Sequence, residues 1–403
     1  MAIGTGVAKQ VIYKVQSALG TKATASAAQI LRRVSSDIQL NKSTFESNEI
    51  RTDYQVSDFR HGSKSIGGSL NGELSPGTYK DFFAAGLRKA FTAVSDITSL
   101  SITITASSAP FTVARGSGSF LTDGLKVGDV VRLTAGSFNA ANIDKNLHVA
   151  TVTALNFTCY PLNGVAMVAE GPIATSTLEI TGKKSFVPET AHTNLYYTIE
   201  HWHSDISQSE SFVDCKIGTI GVAITPSGMA TCNFGVLGTN QDLDSSQYFT
   251  SPSAATTSGV TAGANGLLMV DGATVGNVTG ISFDIDGNMS TEEVIGSNVT
   301  PDVFAGSVKV SGQLTVLFED DTFSQMFEDE TEASVAIALT TSNAAAAEFV
   351  SFTMPRIKAG GNSKDDGQKG IVQTIPFTAL LNGSGGTGTS SEATTIVIQD
   401  SLA

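Results

Sequence analysis

Ser63-Lys64-Ser65-Ile66-Gly67-Gly68-Ser69-Leu70-Asn71-Gly72-Glu73-Leu74 is the stretch that decides the fold. Lys64, Ile66, Gly68, Leu70, Gly72 and Leu74 alternate with Ser63, Ser65, Gly67, Ser69, Asn71 and Glu73. A period of two marks a strand with one face on a core and the other in water. The alternation returns downstream, where Val308, Val310, Gly312, Leu314, Val316 and Phe318 interleave with Ser307, Lys309, Ser311, Gln313 and Thr315. Gly68 and Gly312 hold the same place in both runs and predict a bulge or bend.

Residues 58–83 align without a gap on 302–327, and seven of the 26 positions are identical: Asp58/Asp302, Gly62/Gly306, Ser63/Ser307, Gly68/Gly312, Leu70/Leu314, Thr78/Thr322 and Phe83/Phe327. Upstream, Asp37, Ile38, Asn41 and Thr44 match Asp284, Ile285, Asn288 and Thr291. Downstream, Phe212, Val213 and Ile220 match Phe349, Val350 and Ile357, so the first copy carries about a hundred extra residues. After each alternating run a helix is expected, with Thr78 and Thr322 as N-caps and Asp81 and Gln325 three residues on. Tyr79, Phe82, Phe83, Leu87 and Phe91 follow at helical spacing, as do Phe323, Met326 and Phe327.

The expected fold is mainly β: two tandem β-barrels or sandwiches, each with a flanking α-helix, plus a small inserted β-domain. The first unit takes residues 1–98 and 186–250, the insert 99–185 and the second unit 251–403. Short strands separated by turns fill the insert, at Ser101–Ile104, Gly128–Leu133, His148–Val152 and Thr177–Ile180. Such insertions are tolerated at exposed loop tips, so it is expected to face solvent. Residues 1–30 read as an extended arm, and the Ser-, Gly- and Thr-rich runs 250–266 and 382–391 as flexible loops.

Composition agrees with a β chain. Of 403 residues 41% are apolar and only 15% charged, where about 25% charged is usual. Forty Gly and 21 Phe supply turns and core, and the apolar content argues against intrinsic disorder. The net charge is −14. Residues 1–242 hold 19 basic against 19 acidic side chains and residues 243–403 hold 5 against 19, so the whole excess lies in the C-terminal part. An acidic chain is a poor tight binder of duplex DNA. No run of 18 apolar residues occurs, and no membrane partner is expected. The start lacks the basic and apolar segments of a signal peptide, and Cys159, Cys215 and Cys232 have no CxxC spacing. They are expected to be reduced thiols in a chain made in the cytoplasm.

Chemistry is sparse. Gly4-Thr5-Gly6 opens no βαβ unit, Gly62-Ser63-Lys64-Ser65 lacks the phosphate-loop spacing, and there is no GxSxG elbow. His201-Trp202-His203, with His192 and Asp205 near in sequence, reads better as polar strand than as a metal site. From Asp284 in Asp284-Ile285-Asp286-Gly287-Asn288, calcium-loop positions six and twelve hold Met289 and Ile295, so a turn fits better. Glu319-Asp320-Asp321 precedes the second helix, where acids suit its dipole. No catalytic, cofactor or metal residue is assigned, and no cofactor is expected.

Ser47-Asn48-Glu49-Ile50-Arg51-Thr52-Asp53-Tyr54-Gln55-Val56-Ser57-Asp58-Phe59-Arg60-His61-Gly62 resembles a stretch of the tail tube proteins of long, non-contractile-tailed bacteriophages. Gly72–Tyr79, Lys9–Lys14 and Ile30–Ser36 are similar to the same family. The resemblance implies a β-barrel subunit with a helix on its flank, assembling into rings that stack into a virion tail tube. It implies DNA passing through without tight binding, a tape-measure protein within, tail-end proteins as partners, and assembly in the bacterial host cytoplasm. Simpler members carry one barrel and form six-membered rings. Two copies per chain suggest three chains per pseudo-sixfold ring, with six chains the competing count. The polar faces Ser63, Ser65, Ser69, Asn71, Glu73 and Ser307, Lys309, Ser311, Gln313, Thr315 are candidates for the lumen or the solvent. The C-terminal acids are candidates for a non-adhesive lining. A phage or bacterial surface adhesin or decoration protein with immunoglobulin-like modules is the alternative, weakened by the missing signal and disulfides. A virion hydrolase lacks its nucleophile.

Overall fold

The computed structural model describes residues 3–105, 108–365 and 367–403. The chain is mainly β. Its first part contains β1 (Lys9–Val15), β2 (Gln39–Glu46), β3 (Phe59–Glu73) and helix α1 (Lys80–Leu87). Then come β4 (Ile97–Thr105), β5 (Phe111–Arg115), β6 (Val130–Ala135), β7 (Leu147–Val152), β8 (Asn156–Pro161) and β9 (Glu170–Ile180). These six strands close a barrel of their own around Ile102, Phe120, Leu133 and Phe157. The chain returns through β10 (Lys183–Phe186), β11 (Tyr197–His203), β12 (Gln208–Ile224), β13 (Thr231–Gly238) and β14 (Asn240–Asp244). It ends with β15 (Gly266–Val270), β16 (Val278–Asp286), β17 (Lys309–Leu317), helix α2 (Thr322–Glu328), β18 (Glu332–Thr340), β19 (Phe349–Ala359), β20 (Val372–Ala379) and β21 (Val397–Asp400).

Hydrogen-bonded neighbours run β2-β3-β13-β12-β16-β17-β20-β19 through one continuous sheet. A second layer runs β1-β11-β12 on one side and β15-β18-β19 on the other. The long strands β12 and β19 belong to both layers. Between the layers lies one core holding Ile66, Leu70, Phe212, Phe234, Phe283, Val310, Leu314 and Phe352.

The pivotal contact is the edge of β12. Thr219–Ile224 pairs with β13 on one side and with Ile281–Asp286 of β16 on the other. Around that seam, Lys216 Nζ lies 3.2 Å from Asp302 Oδ1 and donates to the Val303 carbonyl. Tyr196 donates its hydroxyl to Asp302 at 3.0 Å, and Lys216 sits over its ring. Arg88 donates to the Gly287 carbonyl at 3.0 Å. Phe83 of α1 packs on Phe234 and on Phe352 of β19, so the helix is wedged between the two parts.

Several expectations need correction. The residue at the N-cap of α1 is Tyr79, not Thr78, and no side chain caps it. The Thr78 hydroxyl is taken up by Ser75 and Thr256 instead. The helix stops at Leu87 because Arg88 turns left-handed at φ 59°, which leaves Phe91 outside it. Thr322 is the first residue of α2 rather than its cap, and its N–H is met by Asp320 at 2.9 Å. Gly68, at φ +148°, marks a close approach rather than a bulge: a Cβ there would lie 2.6 Å from the Ile38 Cα. Residues 9–15 are not a free arm but strand β1, with Val11, Ile12 and Tyr13 buried. The 250–266 run is pinned, because Arg32 donates to the Ser258 carbonyl at 2.7 Å and Thr261 to the Leu74 carbonyl at 3.0 Å.

The small barrel does not stand free in solvent on all sides. Val130 and Leu162 pack on Ala338 and Phe349, and Ala150 packs on Met269 and Ala336. Gln399 bonds both backbone groups of Val130, at 2.8 and 2.9 Å. Lys184 Nζ pairs with Asp129 at 2.9 Å, both almost wholly buried, and Lys126 holds the 382–391 loop through the Thr389 carbonyl at 2.7 Å. Ile337 and Leu339 of β18 face the core while Ala336 and Ala338 face the barrel. The barrel therefore lies on the side of the second layer away from the continuous sheet.

His148 shares the outward face of β7 with Ala150, is fully buried, and neither ring nitrogen has a partner among the described residues. Burial holds its pKa down at about 4. Burial does the same to His201, against a partial offset from Glu210. The unfolded chain takes up these protons near pH 6.5 and the folded chain does not, so stability falls as pH drops from about 6.5 towards about 4. Asp400 works oppositely: burial raises it to about 6, so its folded form gains the proton first and gains stability over part of that range. The urea midpoint of a His148→Leu variant should therefore change less than the parent's between about pH 7 and about pH 5; an identical change in both proteins would refute the assignment.

Candidate functional site

The outer face of the continuous sheet is the feature built from the alternating runs. On β3 Ile66 and Leu70 are buried, as is Leu74 just past its end, whereas Ser63, Ser65, Ser69, Asn71 and Glu73 remain half-open. On β17 Val310, Leu314 and Val316 are buried, whereas Lys309, Ser311, Gln313 and Thr315 lie on the opposite, open face. Ser307 falls outside this set. It precedes β17 in an exposed loop, where its carbonyl accepts from Asn288 at 2.7 Å.

Register brings the two runs onto one surface. Asn71 pairs with Asn233, Asn233 with Gly221, Gly221 with Asp284, Asp284 with Ser311 and Ser311 with Thr378. The next row links Ser69, Gly235, Thr219, Asp286 and Lys309. The row on the other side links Glu73, Thr231, Ala223, Ser282, Gln313 and Pro376. Cross-strand neighbours share a face, so these rows form a single polar surface of small side chains. Asn71 donates to the Ser35 hydroxyl at 2.9 Å, and the Asn233 amide donates to Asn71.

The sequence reading missed most of this surface. Thr219, Gly221 and Ala223 alternate with Ile220, Val222 and Ile224, and Ser282 and Asp284 alternate with Ile281, Phe283 and Ile285. That is the same period-two signal in shorter runs. The acids of the C-terminal part fall into two groups. Asp284 and Asp286 lie on the face, with Lys309 directly opposite Asp286. Glu319, Asp320, Asp321, Glu328, Asp329 and Glu330 instead surround α2. Burial and the neighbouring Asp286 raise the pKa of Asp284. In these rows Glu73, Asp284 and Asp286 stand against the single base Lys309, so the face is mildly acidic.

Other candidate chemistry resolves into structure. His201 is buried on β11, with Nε2 2.8 Å from the Ser36 hydroxyl and Nδ1 3.8 Å from Glu210. Asp286 accepts from the Asn288 N–H at 2.8 Å in the turn that ends β16. Cys159, Cys215 and Cys232 are free and buried, and burial raises all three thiol pKa values. No cluster of three metal-ligating side chains occurs among the described residues. None of their helices is long and apolar enough to cross a membrane.

The two faces of these strands predict opposite mutational costs. Ile66→Ala and Leu314→Ala should each lower unfolding stability by about 2–5 kcal/mol, while Ser65→Ala and Ser311→Ala should stay within about 0.5 kcal/mol. Urea titration reads the difference, and equal costs on both faces would contradict the assignment.

No curated protein matches the chain. A family model described as phage tail tube protein matches residues 6–379, nearly the whole length, and the chain belongs to that family of structural virion tail components.

Proposed function

We propose that three of these chains close into a ring with pseudo-sixfold symmetry, and that rings stack into the tube through which phage DNA leaves the capsid. One observation carries this reading. The run β2-β3-β13-β12 is repeated by β16-β17-β20-β19, and the two runs meet edge to edge at β12 and β16. A helix follows β3 in one run and β17 in the other. This order supports two copies of one unit in a single chain, each taking one of six places in a ring.

Closure also disposes of the sheet ends. Among the described residues β2 pairs only with β3, and Ser363–Lys364 beyond β19 pairs only with β20. Unpaired edges are templates for another chain, and a closed ring removes them. The polar, mildly acidic face suits a lumen, because a basic lining would hold the phosphates of passing DNA. The small barrel, on the far side of the second layer, then points outwards. A tape-measure protein inside the growing tube, tail-end proteins at its termini and assembly in the host cytoplasm complete the reading.

Native mass measurement or class averages of purified discs test it: three chains in a six-lobed disc are expected, and six chains per disc would reject the count. A variant carrying Ser65→Lys, Asn71→Lys, Ser311→Lys and Gln313→Lys should still build tails but release DNA more slowly. Unchanged release from intact tails would reject a lumen at this face.

A further inference from the structure

We infer that the contact between neighbouring chains copies the seam inside the chain, with Lys358 of one chain paired to Asp58 of the next. The inference rests on the ring reading above and names its closing surface, whose occupant is a second copy of this chain.

The internal seam supplies the template. Lys216 pairs in the sheet with Leu237, and Leu237 with Gly67. Lys358 pairs with Thr378, and Thr378 with Ser311. Gly67 and Ser311 are equivalent in the gapless alignment of 58–83 with 302–327, so Lys216 and Lys358 occupy the same place in the two runs. Their counterpart is also duplicated, because Asp58 and Asp302 are one of the identical pairs. Within the chain the first lysine meets the second aspartate: Lys216 Nζ is 3.2 Å from Asp302, and the lysine side chain is 4% exposed.

The other lysine and the other aspartate are left at the two ends of the sheet. The Lys358 side chain is 38% exposed and, among the described residues, pairs only with Glu330, at 3.4 Å, itself 81% exposed. The Asp58 side chain is 55% exposed and pairs with its near neighbour Arg60. The strand edges beside them are free in the same sense. Thr219–Ile224 beyond Lys216 is paired on both sides, whereas Ser363–Lys364 beyond Lys358 is paired on one. The helices repeat the contrast: Phe83 of α1 is 2% exposed against Phe352, while Phe327, its equivalent on α2, is 43% exposed. Applying the internal step once more brings the next chain's β2 and Asp58 onto the edge beyond β19, and its first part over α2. The pairing is heterologous, and repeating it closes a ring when the rotation per chain divides a full turn. It also sets the neutral first part of one chain against the acidic second part of another, which avoids placing like charge on like.

The test is a full-length chain carrying Asp58→Cys and Lys358→Cys, oxidised under conditions where the parent forms rings. Both positions are exposed and the three native thiols are buried. Non-reducing electrophoresis should show a ladder ending at the closed ring, whereas either single cysteine variant stays monomeric on the gel. Independently, Asp58→Lys or Lys358→Asp alone should cut ring yield about tenfold, and the two together should restore it. Rings that form without the cross-link, or a double reversal that restores nothing, overturn this contact and leave the tube reading standing. A parent chain that remains monomeric at every concentration overturns both.

Discussion

The architecture depends on one strand being paired along both edges. Thr219–Ile224 of β12 accepts β13 on one side and β16 on the other. That shared strand joins two four-strand runs into one sheet with one face and one core. Backbone pairing alone tolerates slippage by a residue, which would turn every side chain over. Here slippage is opposed twice: Ile220, Val222, Phe283 and Ile285 are buried together on the core face, and the Lys216–Asp302 pair closes one end of the seam. Breaking a largely buried ion pair on one side costs several kcal/mol, about 3–5 by comparison with other proteins, so the pair penalises any other register.

Much of the fold was legible because period-two alternation is a local signal. It located β3 and β17, their buried and wet faces, and a mainly β fold. Its limits were physical. Alternation shows which side chains share a face but not which strands are adjacent, so the contribution of Thr219, Asn233 and Ser282 to the same polar surface appeared only with the register. Helix caps were misread because hydroxyls compete for partners. The Thr78 hydroxyl found Ser75 and Thr256, residues brought near by tertiary packing.

The insert is instructive in the same way. Its strands could be read from composition, but its docking could not. That docking rests on Gln399, Asn146 and Lys126 bonding backbone groups remote in sequence. Such polar contacts leave no periodic trace in either partner. The same applies to charge: counting places the acidic excess in the second part, but only the structure separates Asp284 and Asp286 from the acids around α2.

That cluster gives the proposed disc a property that a ring of identical single units would lack. The acids crowd α2, whereas Asp81 is the only acid within α1. Around the circumference, neutral and negative sectors would alternate, and the electrostatic symmetry would be threefold even where the backbone is nearly sixfold. Turning one disc by a single lobe relative to the disc beneath would superpose unlike sectors where like ones had been. Stacked discs would then have three equivalent rotational settings rather than six, and the helical twist of a tail would be selected partly by this charge pattern.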